Sequence, residues 1–227
     1  MGRTESVDFR GPAGRLEGNI LWPEGRPVAA AVVCHAHPLH GGIMHFKVVY
    51  RAAKALQAQG LAVLRFNFRG VGRSDGAHDN GDGEQNDARA AISEILNRLP
   101  DSPIVLGGFS FGSAIALRVG VGDSRAHALM ALGFPISLMA DTSFLVRSPK
   151  PTLFVQGDRD EFGDGESIRR LVSELPGECS LDVIPECDHF FSGHLDRLHT
   201  AVARWAAARP WSRRESEPAA CPGSLEC

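Results

Sequence analysis

The 227-residue chain is short of several features, and each gap removes a class of function. No apolar run approaches the ~20 residues that a membrane-crossing helix needs, so no membrane span is expected. The opening stretch MGRTESVDFRGPAG has no apolar segment of the kind that a secretory signal carries. Gly2 and Ser6 fit an N-myristoylation pattern only loosely, with no polybasic segment or second lipid site close behind. A cytoplasmic location is the resulting expectation. Neither sign of charge dominates: 24 Lys and Arg against 27 Asp and Glu leave a net charge of −3. That balance gives no electrostatic reason to expect nucleic acid or an anionic membrane as partner. The five cysteines are odd in number and form no CxxC, which argues against a disulfide framework or a zinc ribbon. Cys34 lies in an apolar run and reads as a small core residue.

What is present is an ordinary globular mix, 43% hydrophobic and 22% charged, long enough for one α/β domain. SVDF and RLEGNILW, separated at GPAG, read as an N-terminal antiparallel hairpin. Strands and helices then alternate. Apolar runs at 28–35, 61–68, 103–109, 127–135, 151–157 and 180–186 read as buried strands. Between them, Val49, Ala52, Ala53 and Leu56 fall on one helical face, as do Ala88, Ala91, Ile92, Ile95 and Leu99. Ile168, Leu171, Val172 and Leu175 make a further stripe, and Leu195, Leu198, Val202 and Trp205 the last. Near-continuous apolar strands in this alternation predict a mostly parallel central sheet with helices on both faces. The domain is expected to span residues 1–208. The Pro-, Ser- and charge-rich stretch 209–227 reads as a disordered tail. Only the 15 residues Ile136–Lys150 separate two consecutive strands, too few for a separate lid domain.

The stretch VLGGFSFGSAIAL carries the chemistry. Gly108-Phe109-Ser110-Phe111-Gly112 matches G-x-S-x-G where a strand ends and a helix begins, the context in which this motif exposes a nucleophile. Side chains at 108 and 112 would collide with neighbouring backbone, so glycine stands at both. The amides opening the helix favour negative charge developing beside the serine.

A hydroxyl needs a general base, and the base needs an orienting group. Where a serine sits on such a turn, the acid follows it in the chain and the histidine comes last. LFVQGDRDEFG offers Asp158 and Asp160 after a strand, and VIPECDHFFSGH offers His189. Asp160 is favoured, because Asp158 directly follows Gly157 and more plausibly shapes the turn. His194 and His199 fall at the closing helix, which leaves His189 as the base. An oxyanion hole is expected from the backbone N–H of Phe111 and a second donor in HAHPLHGG. Pro38 has no N–H, so His37 is chosen, with Leu39 next. The four histidines of this region, 35, 37, 40 and 45, lack carboxylate company, so no metal is expected; His40 is taken as part of the pocket rim. Phe109, Phe111, Phe134 and Phe162 are available for an apolar acyl pocket, with Phe111, Phe134 and Phe162 expected near substrate. FNFRGVGRSDG departs from a dinucleotide loop because Asp75 occupies the third glycine position. A tight loop held by Arg69, Arg73 and Asp75 fits these residues better.

Taken together, the order Ser110, Asp160, His189, the segment RGVGRSDG, and HAHPLHGG ahead of VLRFNFRGVGRS and GFSFG resemble the α/β-hydrolase superfamily. The resemblance covers roughly residues 5–208. It is to the small lidless group related to dienelactone hydrolases and predicted esterases. Dienelactone hydrolases carry a cysteine nucleophile where this chain has Ser110. Haloalkane dehalogenases and epoxide hydrolases of the same fold carry aspartate there, so those reactions are disfavoured. The resemblance implies a serine hydrolase cleaving carboxylic esters of small to medium acyl groups, with thioesters close behind and no cofactor. A peptidase or amidase on the same triad, and a non-catalytic member of the fold, are the alternatives. The implied partner is a small ester or thioester substrate, and a homodimer is compatible with the sequence.

Overall fold

The computed structural model describes residues 2–213. Two strands open the chain, β1 (Thr4–Gly11) and β2 (Gly14–Leu21), paired antiparallel as the hairpin pattern predicts. The remaining elements are β3 (Ala29–Cys34), α1 (Lys47–Ala58), β4 (Leu61–Phe66), α2 (Asp82–Arg98), β5 (Ile104–Phe109), α3 (Phe111–Gly122), β6 (Ala126–Leu132), β7 (Thr152–Gly157), α4 (Gly165–Ser173), β8 (Cys179–Ile184) and α5 (Leu195–Ala207). One eight-stranded sheet runs β1-β2-β4-β3-β5-β6-β7-β8, parallel from β4 through β8. This is the mostly parallel α/β architecture expected.

Why the central strands are largely apolar is visible in β3. Ala30, Val32 and Cys34 point into one core layer and Ala29, Ala31 and Val33 into the other, all fully buried. Helices α2, α3 and α4 cover the first face, while α1 and α5 cover the second. A strand with no wet face has no reason to alternate polar residues. Each larger side chain removed from water in this way contributes ~1.5–3 kcal/mol before chain entropy is counted.

The strand order reverses between β3 and β5, because β4 lies on one side of β3 and β5 on the other. A crevice opens at the carboxyl ends of strands at such a point. The loops after β3 and β5 carry His37 and Ser110, so the topology brings these two distant segments together. Residues 136–150 fold into two short turns, Ile136–Leu138 and Ser143–Arg147. Leu145 is buried with the α3 layer, so the segment clings to the body of the domain and builds no lid.

Some boundaries differ from the sequence expectation: the strands expected at 61–68 and 180–186 end at Phe66 and Ile184. The strand expected at 127–135 stops at Leu132, because Gly133 turns the chain with φ +54°. The expected domain end at 208 falls short. Arg209 is buried, and Trp211, in the turn Pro210–Arg213, is 7% exposed and packs into the α1–α5 layer. The rest of the predicted tail, 214–227, lies outside the described residues.

Candidate active site

Ser110 stands between β5 and α3 with φ 54° and ψ −123°, a conformation rare outside glycine and typical of strained functional turns. Its N–H donates to Leu132 O (2.9 Å), tying the turn to β6. The flanking glycines are a packing requirement. A Cβ on Gly112 would come within 2.3 Å of His35 O, and one on Gly108 within 2.3 Å of Gly112 O. The start of α3 therefore lies directly against the end of β3.

The three side chains picked out by chain order meet here. His189 Nε2 is 2.9 Å from Ser110 Oγ, and His189 Nδ1 is 2.8 Å from Asp160 Oδ2. Asp160 and His189 are 3% and 2% exposed, which withdraws their contact from competing water. Asp160 Oδ1 accepts the Phe162 N–H (2.9 Å). Asp158, the alternative acid, instead accepts the Cys187 N–H (3.1 Å) and shapes the loop, as expected of it.

One partner of this constellation escaped the sequence reading. The fully buried Gln156 on β7 donates from Nε2 to Asp160 Oδ2 (2.7 Å) and to Gly163 O (2.6 Å). Its Oε1 accepts the Phe134 N–H (2.8 Å). A glutamine inside the buried run TLFVQG was the available signal, since a buried amide must find partners.

Phe134 corrects an expectation. It is fully buried, with its ring edge-on to Phe154 at 6.1 Å, and it touches no open surface. The turn at Gly133 directs it back into the core. Phe162, by contrast, is half-buried with its ring 4.7 Å from the His189 imidazole. Phe190, half exposed, lies 5.3 Å from the same imidazole.

Across the serine, the His37 ring lies 4.9 Å from Phe111, 4.7 Å from His40 and 4.7 Å from His78. His40 is exposed. Among the described residues, the backbone N–H groups of Phe111 and His37 donate to no protein acceptor. The dinucleotide-like loop is held as predicted. Arg69 grips buried Asp87 through Nε and Nη2 (2.9 and 2.8 Å), Arg73 Nε pairs with Glu17 (2.8 Å), and Asp75 accepts the Arg15 N–H (2.7 Å).

Comparison with known proteins adds one decisive finding. Residues 29–210 match the family model described as alpha/beta hydrolase domain. The chain belongs to the alpha/beta hydrolase family. An uncharacterized protein of Rickettsia prowazekii, RP471, is 37% identical over 205 residues, spanning 86% of both chains. A solved α/β serine hydrolase homologue from Coxiella burnetii shares 37% identity, with a TM-score of 0.82 over 88% of this chain and 96% of that one. XC6422 of Xanthomonas campestris, described as an α/β serine hydrolase without a lid, shares 34% identity, with a TM-score of 0.82 over 89% and 93%. Family membership and these neighbours support hydrolase activity.

In this hydrolase, His35 secures the loop that carries His37. Its Nδ1 donates to Ala36 O (2.6 Å) and its Nε2 accepts the Phe68 N–H (3.0 Å), so both ring nitrogens are committed. Burial pushes its pKa down to about 4. An unfolded imidazole titrates near ~6.5, so between these values the unfolded chain binds more protons. Stability is therefore expected to fall as pH drops through this window, by about 2 kcal/mol from pH 7 to about pH 5. Urea titrations of wild type and His35→Gln check this. The variant should start less stable but lose less over the same interval, whereas parallel curves would rule out His35 as the titrating group.

Proposed function

We propose that the chain is a serine hydrolase cleaving carboxylic esters through an acyl-enzyme. The observation that carries this reading is the continuous contact from Ser110 Oγ through His189 to buried Asp160. Ser110 Oγ attacks the acyl carbon while its proton passes to His189 Nε2. Asp160 holds Nδ1–H and stabilises the imidazolium. The Phe111 and His37 amides receive the charge that develops on the carbonyl oxygen; losing one such donor costs ~100- to 1,000-fold. His189 then protonates the departing alcohol. Water repeats the sequence on the acyl-enzyme and regenerates Ser110.

The turns at 136–150 leave the mouth uncovered, which suits small to medium acyl groups better than a long chain needing enclosure. Thioesters fit the same geometry, since a thiolate leaves more easily than an alkoxide. Amides leave less readily and rank behind both. A small-molecule ester is thus the proposed partner, and a cytoplasmic site of action is consistent with it. Parallel assays with p-nitrophenyl esters of two to eight acyl carbons (about that range), acyl thioesters and aminoacyl anilides test the reading. Turnover of esters, with a fluorophosphonate labelling Ser110, is expected. Anilide turnover exceeding ester turnover would replace the reading by an amidase.

A further inference from the structure

A second histidine–carboxylate contact stands beside the first. His78 Nδ1 lies 2.8 Å from Glu84 Oε1, and the Glu84 side chain is wholly buried. The same carboxylate accepts the Asp79 N–H (3.0 Å) at Oε1 and the Gly81 N–H (2.8 Å) at Oε2, so it caps the start of α2. Although burial alone would raise the Glu84 pKa, the backbone donors and the His78 contact leave it lowered overall. An ionised carboxylate only accepts, so the His78 Nδ1 carries a proton, and the neutral form of the ring has its lone pair at Nε2. The ring is 9% exposed, and among the described residues Nε2 has no protein partner.

The facing ring has the opposite tautomer. His37 Nδ1 accepts the Leu39 N–H (3.2 Å), which leaves the His37 proton on Nε2 as a donor. Burial is the main cause that lowers the His37 pKa. The two rings are 4.7 Å apart, and both flank Phe111, at 4.9 and 5.7 Å. One acceptor and one donor are thus carried on adjacent rings beside the residue that follows the nucleophile.

We infer that His78 and His37 form a subsite for a hydroxyl group on the acyl part of the substrate, which would donate to His78 Nε2 and accept from His37 Nε2–H. The inference rests on the proposed esterase reading for its place in the substrate. The leaving oxygen must lie at His189, amid the Phe162 and Phe190 rings, so the acyl part is the one free to reach the imidazoles. A carboxylate would meet only one donor here, with Asp79 and the buried Glu84 and Asp87 opposing it against Arg69.

The test compares ethyl 2- and 3-hydroxybutyrate with ethyl butyrate and monoethyl succinate in a pH-stat, using wild type and His78→Phe, which keeps a ring in place. At least one hydroxy ester should exceed butyrate in kcat/KM by about tenfold, as two modest hydrogen bonds allow. His78→Phe should bring that ratio near one, chiefly through KM, in protein whose thermal melt shows it folded. Equal rates on hydroxy ester and butyrate in wild type, or a preference for the succinate, would overturn the subsite. Imidazole ¹⁵N spectra of the Ser110→Ala protein give a second readout independent of turnover. His78 should be protonated at Nδ1 and His37 at Nε2, with both rings shifted by the hydroxy ester and unmoved by butyrate; the opposite tautomers would overturn the inference. Absence of all turnover in wild type would count against the esterase reading alone, and the spectra then decide the subsite.

Discussion

Ser110→Ala is expected to lower kcat on any hydrolysed ester by roughly 10⁵- to 10⁶-fold, the scale on which removing a serine nucleophile acts. Fluorophosphonate labelling should vanish with it. The fold should persist, since the lost oxygen has one polar partner, His189 Nε2, and the Cβ that the turn already accommodates remains. Unfolding free energy should stay within about 0.5 kcal/mol of wild type, as for a substitution that makes neither cavity nor clash. Initial rates at high enzyme concentration, with a melt on the same sample, measure both. Variant activity within about a hundredfold of wild type would remove Ser110 from the nucleophile's place, since the remaining amides cannot form an acyl-enzyme.

Asp160→Asn is the second large effect, with kcat expected to fall by about 10⁴-fold, as when a triad carboxylate becomes an amide. The cause lies in the donors that surround it. Asp160 accepts from His189 Nδ1, Gln156 Nε2 and the Phe162 N–H, all at once. Asparagine has one oxygen and one NH₂. If its oxygen faces Phe162, its NH₂ confronts Gln156 and His189, and the imidazole must move its proton to Nε2, where it cannot accept from Ser110. If the amide flips, its NH₂ confronts the Phe162 N–H. Either arrangement leaves a buried donor unpaired, so stability should also drop by about 1–3 kcal/mol. Asp158→Asn is the control. Its carboxylate meets the Cys187 N–H, and the change should cost at most a few-fold in kcat. A larger effect at 158 than at 160 would exchange their roles.

The choice between those two aspartates was legible in the sequence because each follows the same strand and differs only in its distance from Gly157. The same holds for Ser110 and His189: each lies just past a strand, fully buried β5 for Ser110 and the half-buried edge strand β8 for His189, and parallel strands deliver their ends to one edge. Phe134 was misread for an equally local reason. Nothing in GFP states whether the glycine turns the chain, and φ +54° at Gly133 decides which way the next ring points. Gln156, His78 and Glu84 were not singled out. Gln156 has its acceptors at 160 and 163, on the turn beyond its strand, while His78 meets His37, about forty residues earlier in the chain. Such meetings follow from how the loops settle on the sheet, which periodicity does not encode. Trp211 likewise follows a proline and precedes a charged run, so composition masked its seat against the α1–α5 layer.

The close seating of Gly112 on the carbonyl of His35 has a consequence for how this molecule can diverge. With no room for even a methyl group there, the serine-bearing turn and the end of β3 form a rigid unit that tolerates little drift. The exposed Leu39, Ile43 and Phe190 carry no such restriction. Variation in what the molecule accepts is thus channelled into its outer loops, while the geometry of attack is inherited intact.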